Sequence, residues 1–477
     1  MILGKEQISR YLRHIIMPEI SGPGQKKLLE SIVLVYGESM KELSPMIYYL
    51  AASGIGKIYC SLDDENNFDD LLENIHDLNN DIEICLIDSE HLVEKANFKI
   101  ILGSDDFFSE KISIMKDKAF IPTVVAITTE WKGFFQSFDE EKIYNQFISM
   151  FQKFNKTKKN DIKHNSYGKL ITDFILGTIC VVEGIKLCLK LDDVLNDLLY
   201  FDILTMEVNN IRLDKVDMYI RDNKDERIDI DYNDINEKLS KSKVLIIGTG
   251  GLGSPAAFAL AYAGVGTIGL VDSDVVEISN LNRQILHSAS RIGMPKVESA
   301  KLFLNAINPY ININTYNIDF NKEVSDMVND YDIVISAVDN IQTRYLINDA
   351  CYFAKKIDIE AGVLRFHGTN TTIVPDKGHC YRCLTPDIST NGLSCAETGV
   401  LGPIPGIMGF IQAAEAIKLI GDIGVTLKDK ILMYDALDRD ITIINVDKNP
   451  ECPLCGEHPT IDEIKEYRLS CNDNVLD

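Results

Sequence analysis

No stretch of this 477-residue chain reaches the roughly 18 uninterrupted apolar residues that span a bilayer; the nearest, Phe174 to Leu189, is broken by Glu183 and Lys186. A membrane protein is not expected. The N-terminal Met1-Ile-Leu-Gly-Lys-Glu lacks the basic segment and apolar run of a signal peptide, so a cytoplasmic location is expected. Positive charge is also scarce: 48 Lys and Arg face 72 Asp and Glu, a formal charge of -24 that repels polyanions and argues against a nucleic-acid or anionic-membrane partner. With 30 Gly and 14 Pro the chain is neither collagen-like nor broadly disordered, and 45% hydrophobic residues give it the composition of a soluble globular protein. Its length exceeds one ordinary core, so two domains of roughly 200 to 250 residues are expected.

Self-comparison finds an internal repeat. Ser44 to Gly56 reads SPMIYYLAASGIG and Ser254 to Gly266 reads SPAAFALAYAGVG, with identical spacing. Each follows a short apolar run ending in glycine, at Gly37 and Gly248, that suits a buried parallel strand. Lys99-IILGSDD then matches Asp332-IVISAVDN, Gly177-TICVVEGIKL matches Gly409-FIQAAEAIKL, and Leu198-LYFDIL matches Leu432-MYDAL, in the same order. Alternating strand and helix patterns argue for βαβ units. The expected fold is α/β: two Rossmann-like doubly wound domains in tandem, residues 1–215 and 241–477, an intramolecular pseudo-dimer. The charged run from Asp214 to Lys243 provides a linker at 216–240.

The second copy carries Gly248-Thr-Gly250-Gly251-Leu-Gly253 where a strand should turn into a helix, the context of a phosphate-cradling loop. Asp272 follows the next strand, where a carboxylate can accept hydrogen bonds from ribose hydroxyls. The loop alone does not separate ATP from a dinucleotide. The first copy has Gly37-Glu-Ser-Met-Lys-Glu-Leu-Ser44 instead, with Glu38 and Lys41 among the replacements and Leu62 at the position of Asp272. It is expected to bind no nucleotide.

Eleven cysteines include two CxxC pairs, Cys380/Cys383 and Cys452/Cys455, whose spacing in a reducing compartment points to a closed structural Zn²⁺ site of four thiolates in the second copy. Cys60, Cys85, Cys180, Cys188 and Cys351 fall in apolar segments and read as core.

After Asp272-Ser-Asp274 come Val275-Val-Glu-Ile-Ser-Asn280-Leu-Asn282-Arg283-Gln284, Gly293-Met-Pro-Lys296 and Ala337-Val-Asp339-Asn340. This ordered set resembles the MoeB/ThiF/ubiquitin-activating-enzyme superfamily. The first copy opens with Ser9-Arg10-Tyr11-Leu12-Arg13-His14, similar to that family's N-terminal helix. The resemblance implies adenylation: a substrate carboxylate attacks the α-phosphate of MgATP, giving an acyl-adenylate and pyrophosphate. Arg283 and Lys296 would supply positive charge, Asp339 would hold Mg²⁺, Asn280, Gln284 and Asn340 would orient the nucleotide, and Asp274 would be a further contact. Family members borrow an arginine from the other protomer, which implies that Arg13, or failing it Arg10, completes the site within one chain. Cys395 lies at the position of the family's transfer cysteine. The implied partners are a small ubiquitin-like sulfur-carrier protein or a short ribosomal peptide, a separate sulfur-donor protein, and further copies of the chain through self-association. An NAD-dependent oxidoreductase and a non-catalytic partner-binding protein are the competing readings.

Overall fold

The apolar runs that end in glycine become central strands of two eight-stranded sheets. The computed structural model describes residues 3–87, 95–111, 120–155, 167–191, 197–215, 230–386 and 398–465. The first sheet contains β1 (Ile32–Ser39), β2 (Lys57–Asp64), β3 (Glu83–Leu86), β4 (Phe98–Gly103), β5 (Thr123–Thr128), β6 (Lys132–Phe138), β7 (Asp197–Asp202) and β8 (Glu207–Arg212), ordered β3-β2-β1-β4-β5-β6-β7-β8. The second contains β9 (Lys243–Ile247), β10 (Thr267–Val271), β11 (Asn312–Tyr316), β12 (Ile333–Ser336), β13 (Ile357–Leu364), β14 (His367–Ile373), β15 (Lys430–Asp435) and β16 (Asp440–Asn445), ordered β11-β10-β9-β12-β13-β14-β15-β16. In both sheets the neighbouring pairs are parallel up to β5 or β13 and antiparallel beyond it. The chain is two tandem Rossmann-like units of one topology.

The repeated GxG has a local cause. The helices Met40–Ser53 and Gly253–Ala263 both end in a left-handed cap, Gly54 at φ 85° and Gly264 at φ 80°, a conformation that costs residues with a Cβ. The sheet register also refines the sequence match. Lys99 lies opposite Leu34 and Val334 opposite Leu245, at the same level of each sheet, so Ser104 of the first copy occupies the position of Asp339.

The copies meet through four helices. Met40–Ser53 and Tyr167–Leu189 of the first pack against Gly253–Ala263 and Pro403–Gly421 of the second. Phe174 sits at the centre, 5.4 Å from the rings of both Phe258 and Phe410. Edge-on and tilted rings of this kind add about 0.5–1.5 kcal/mol each beyond the area they bury. Around them runs a reciprocal polar exchange. Lys186 pairs with Glu183 and donates to the carbonyls of Ala436 and Leu437, both at 2.7 Å; Lys418 pairs with Glu415 and donates to the carbonyl of Ile203 at 2.9 Å. The same Glu-x-x-Lys pair of each long helix thus grips the other copy just past β15 or β7, the signature of a pseudo-twofold axis.

Pro403–Gly421 is long and apolar enough to cross a membrane, but 89% of that window is buried inside the protein. Residues 216–229 of the expected linker lie outside the described residues. Its later part forms the helix Tyr232–Lys241, N-capped by Asp231, which buries Ile235 and Leu239 against the second copy.

Candidate nucleotide site

The strand order of the second sheet reverses between β9 and β12, which opens a crevice at the carboxyl ends of those strands. A cleft of about 490 Å³ lies there. Gly248, Gly250, Gly251, Asp272, Asp274, Asn280, Arg283, Gln284, Lys296, Asp339 and Asn340 all line it, and Arg13 reaches it from the first copy. Gly253 lies just behind the loop, where a Cβ would stand 1.9 Å from the carbonyl oxygen of Gly248. Only glycine lets the turn close against the helix that begins there.

Several of these side chains already have partners. Asp272 accepts hydrogen bonds from Thr249 N (2.8 Å), Thr249 Oγ1 (2.9 Å) and Asp274 N (3.0 Å), so one carboxylate pins the glycine loop to the end of β10. Lys296 is buried and pairs with the exposed Asp274 at 2.6 Å. Asn280 Oδ1 accepts from Glu277 N, and Asn340 Oδ1 accepts from Thr343 N, which makes Asn340 the N-cap of the helix Ile341–Ala354. Arg283 Nη1 donates to Ser279 O and Asn282 Oδ1. Gln284 Oε1, on the cleft wall, and Asn282 Nδ2, behind it, are buried with no hydrogen-bond partner, a cost of about 1–3 kcal/mol per group.

The two candidate arginines of the N-terminal segment separate here. Arg10 is buried and donates to Leu78 O at 2.6 Å, the carbonyl end of the first copy's helix Phe68–Leu78. Arg13, half-buried, is in the cleft wall.

Two groups carry no sequence expectation. Arg344 lines the cleft and donates to Val338 O and Ala361 O, both at 2.7 Å, while pairing with Glu360; it ties the Asp339 turn to β13. Its spacing, one helical turn after Asn340, was the available signal. His287 is fully buried between Thr249 O, which accepts from Nε2–H, and Ser299, which donates to Nδ1. Burial pushes its pKa down to about 3, so it is a neutral prop under the loop.

The first copy's counterpart is filled. β1 continues through Ser39 and the helix starts at Met40, leaving no loop. Glu38 accepts from Ser104 N (3.1 Å) and Ser104 Oγ (2.5 Å), and Lys169, buried, pairs with Glu38 (2.9 Å), Glu42 (3.1 Å) and Asp173 (2.9 Å). Leu62 packs on the core at the position of Asp272.

Cys380 Sγ lies 3.9 Å from Cys383 Sγ, 3.5 Å from Cys452 Sγ and 3.4 Å from Cys455 Sγ, and all four sulfurs fall within 4.8 Å of one another. Tetrahedral zinc with bonds of about 2.3 Å needs sulfurs about 3.8 Å apart, so the set fits. Next to it Arg382 makes a bidentate pair with Asp349 (2.9 and 2.8 Å), joining this lobe to the helix that Asn340 caps. Cys395 lies outside the described residues.

A glycine loop with its anchoring carboxylate, paired cations and a strand-end Asp at one switch point define a nucleotide-binding Rossmann unit with a metal-capable thiol lobe. Residues 227–454 match the ThiF family. The chain is 44% identical over 239 residues to the SAMP-activating enzyme E1 of Haloferax volcanii, covering 88% of it, and 39% identical over 243 residues to the sulfur carrier protein adenylyltransferase of Thermus thermophilus, covering 90%. It is also 41% identical over 242 residues to the adenylyltransferase and sulfurtransferase MOCS3 of Dictyostelium discoideum, of which it spans 57%. Each match involves about half of this chain. The protein belongs to the ThiF family, and two of these three relatives are named adenylyltransferases.

Proposed function

We propose that the second copy adenylates the C-terminal carboxylate of a small ubiquitin-like sulfur-carrier protein. The observation that carries the reading is the cleft itself, in which the glycine loop, Asp339, Arg283, Lys296 and Arg13 share one wall system. The carboxylate attacks the α-phosphorus, the bond to the bridging oxygen of the β-phosphate breaks, and pyrophosphate leaves. Negative charge grows on phosphate oxygens, so fixed cations are what the reaction requires. Arg283 and Arg13 offer guanidinium forks, and Lys296 would exchange Asp274 for phosphate. Asp339, exposed in the cleft, would hold Mg²⁺ together with phosphate oxygens, as that ion prefers. The four-cysteine lobe would hold Zn²⁺ structurally, since a closed thiolate set leaves no position for substrate.

A bare sheet face favours a folded carrier over a short peptide. Leu364, Met433 and Ile444 are 36%, 45% and 46% exposed, and Leu364 adjoins Val363 of the cleft. At the same register positions of the first copy, Tyr200 and Ile211 are 8% and 6% exposed, in a cluster with Tyr144, Phe147 and Phe151 of the helix Glu141–Asn155. The carrier would cover in the second copy what that helix covers in the first.

The test incubates the protein with MgATP and a sulfur-carrier protein and follows the carrier by mass spectrometry. Gain of one adenylate with pyrophosphate release is expected. NAD binding without ATP turnover, or MgATP binding without any adenylate on carrier or synthetic peptide, would contradict the reading. Met433→Asp should raise KM for the folded carrier and leave that for its isolated C-terminal peptide unchanged. Transfer of the acyl group to Cys395 is the proposed second step, the thiolate forming a thioester as the acyl–phosphate bond breaks and AMP leaves; a hydroxylamine-sensitive adduct on the enzyme, absent from Cys395→Ser, would establish it.

A further inference from the structure

His14 neighbours Arg13 but faces away from solvent, fully buried between the copies. Its Nδ1 lies 2.9 Å from Gln25 Oε1, an acceptor, so Nδ1 carries the proton. Gln25 Nε2 donates in turn to Ser53 O at 3.0 Å, which fixes the amide. Nε2 of His14 is therefore an acceptor, and it receives the backbone N–H of Gly402 at 3.0 Å, 388 residues away. Burial is the main reason the imidazole stays neutral, its pKa pushed down to about 4; Arg283 nearby acts in the same direction.

Gly402 is no ordinary recipient. It is the N-cap of the long interface helix, and a Cβ there would stand 2.2 Å from Asn282 O and 3.6 Å from Arg283 Cβ. The segment leading to it also takes hold of Arg13 directly: Val400 N donates to Arg13 O at 3.3 Å, and a Cβ on Gly399 would meet that same oxygen at 2.4 Å. Leu401 N donates to Arg365 O, and Arg365 pairs with Glu19 of the first copy. The relay Ser53–Gln25–His14–Gly402 thus runs from the first copy to the backbone on which Arg283 packs.

We propose that His14 is a positioning residue whose Nε2, by accepting the Gly402 N–H, registers the Arg13 helix against residues 399–402 and so sets Arg13 and Arg283 together around one phosphate site. It touches no substrate. The inference rests on the reading of Arg13 as a cation for that site, and the experiment separates the two.

MgATP binding is measured by calorimetry on the full chain for Arg13→Ala, His14→Leu, His14→Gln and the double variant His14→Leu/Arg13→Ala. Leucine fills the space without an acceptor; glutamine keeps an acceptor near the Nε2 position. Arg13→Ala should weaken binding about tenfold or more, as loss of a charged hydrogen bond does. His14→Leu should lose a similar factor, and His14→Gln should recover to within about threefold of wild type. The double variant should bind no more weakly than Arg13→Ala alone, because the two residues act on one contact. Should His14→Leu not fold, His14→Asn, too short to reach Gly402, takes its place with the same expectation. Wild-type affinity in His14→Leu, no recovery in His14→Gln, or losses that multiply in the double variant would overturn the positioning role. Wild-type affinity in Arg13→Ala would instead remove the reading of Arg13 on which it rests.

Discussion

In the first copy β1 runs on to Ser39 and the helix begins at Met40; in the second, β9 stops at Ile247 and Gly248 to Leu252 intervene before the helix. Around that difference the chemistry inverts. Where the second copy leaves a cleft walled by Arg283, Lys296 and Asp339, the first places Glu38 on the Ser104 N–H and brings Lys169 against three carboxylates. There a carboxylate and an ammonium of the chain itself pair with each other. The first copy's own site is thus filled by its side chains, and that copy contributes Arg13 to the cleft of the second.

About the pseudo-twofold axis the two copies hold each other through equivalent buried pairs. Lys186→Met and Lys418→Met each remove the cation from a buried pair and leave Glu183 or Glu415 without its ammonium partner, a cost of up to about 3–5 kcal/mol. Urea unfolding should show equal losses within about 1 kcal/mol; a loss confined to one copy would mean that the reciprocal contacts are not equivalent.

The two arginines of the N-terminal segment come next. Arg13→Ala should slow adenylate formation about 10²–10³-fold with little change in unfolding temperature, the scale expected for a donor to developing charge. Arg10→Ala should do the reverse, keeping the rate and destabilising by about 1–3 kcal/mol, since the buried Leu78 carbonyl loses its donor. Equal rates for both variants would remove the distinction.

The smallest effect belongs to the filled site. Burial, reinforced by the like charge of Asp173, pushes the Glu42 carboxyl up to about 7. A carboxyl that holds its proton more tightly when folded favours the folded state at low pH, and that advantage is lost as pH rises from about 4.5 through 7. Glu42→Gln should therefore remove part of the alkaline loss, gaining about 2 kcal/mol at pH 8 over wild type and nothing at pH 4. Stability that falls equally with pH in both proteins would show that Glu42 does not titrate in this window.

Much of this was legible in the sequence because the signals are local. The repeated GxG, the glycine loop and the two CxxC pairs each lie within a dozen residues or keep a fixed spacing, and each specifies a turn or a ligand geometry. What stayed hidden depends on contacts between distant segments. The spacing Arg10-Tyr-Leu-Arg13 does not reveal which arginine turns inward, because Leu78 decides it. The Glu-x-x-Lys pairs matched between copies, but their grip on Ala436 and Ile203 follows only from the docking. The helix Glu141–Asn155 interrupts the repeat, so its role as a cover for Tyr200 and Ile211 needed the sheet register. Asn340 lines the cleft, and its side chain also caps the helix Ile341–Ala354, a local contact that the motif reading passed over.

The most direct test is a crystal structure with MgATP bound. Triphosphate should lie on the Gly248–Gly253 loop with the Arg13 guanidinium within hydrogen-bonding distance of a phosphate oxygen, and Glu38 should still be paired with Lys169. Nucleotide beside Glu38, or Arg13 turned away from an occupied cleft, would contradict the account.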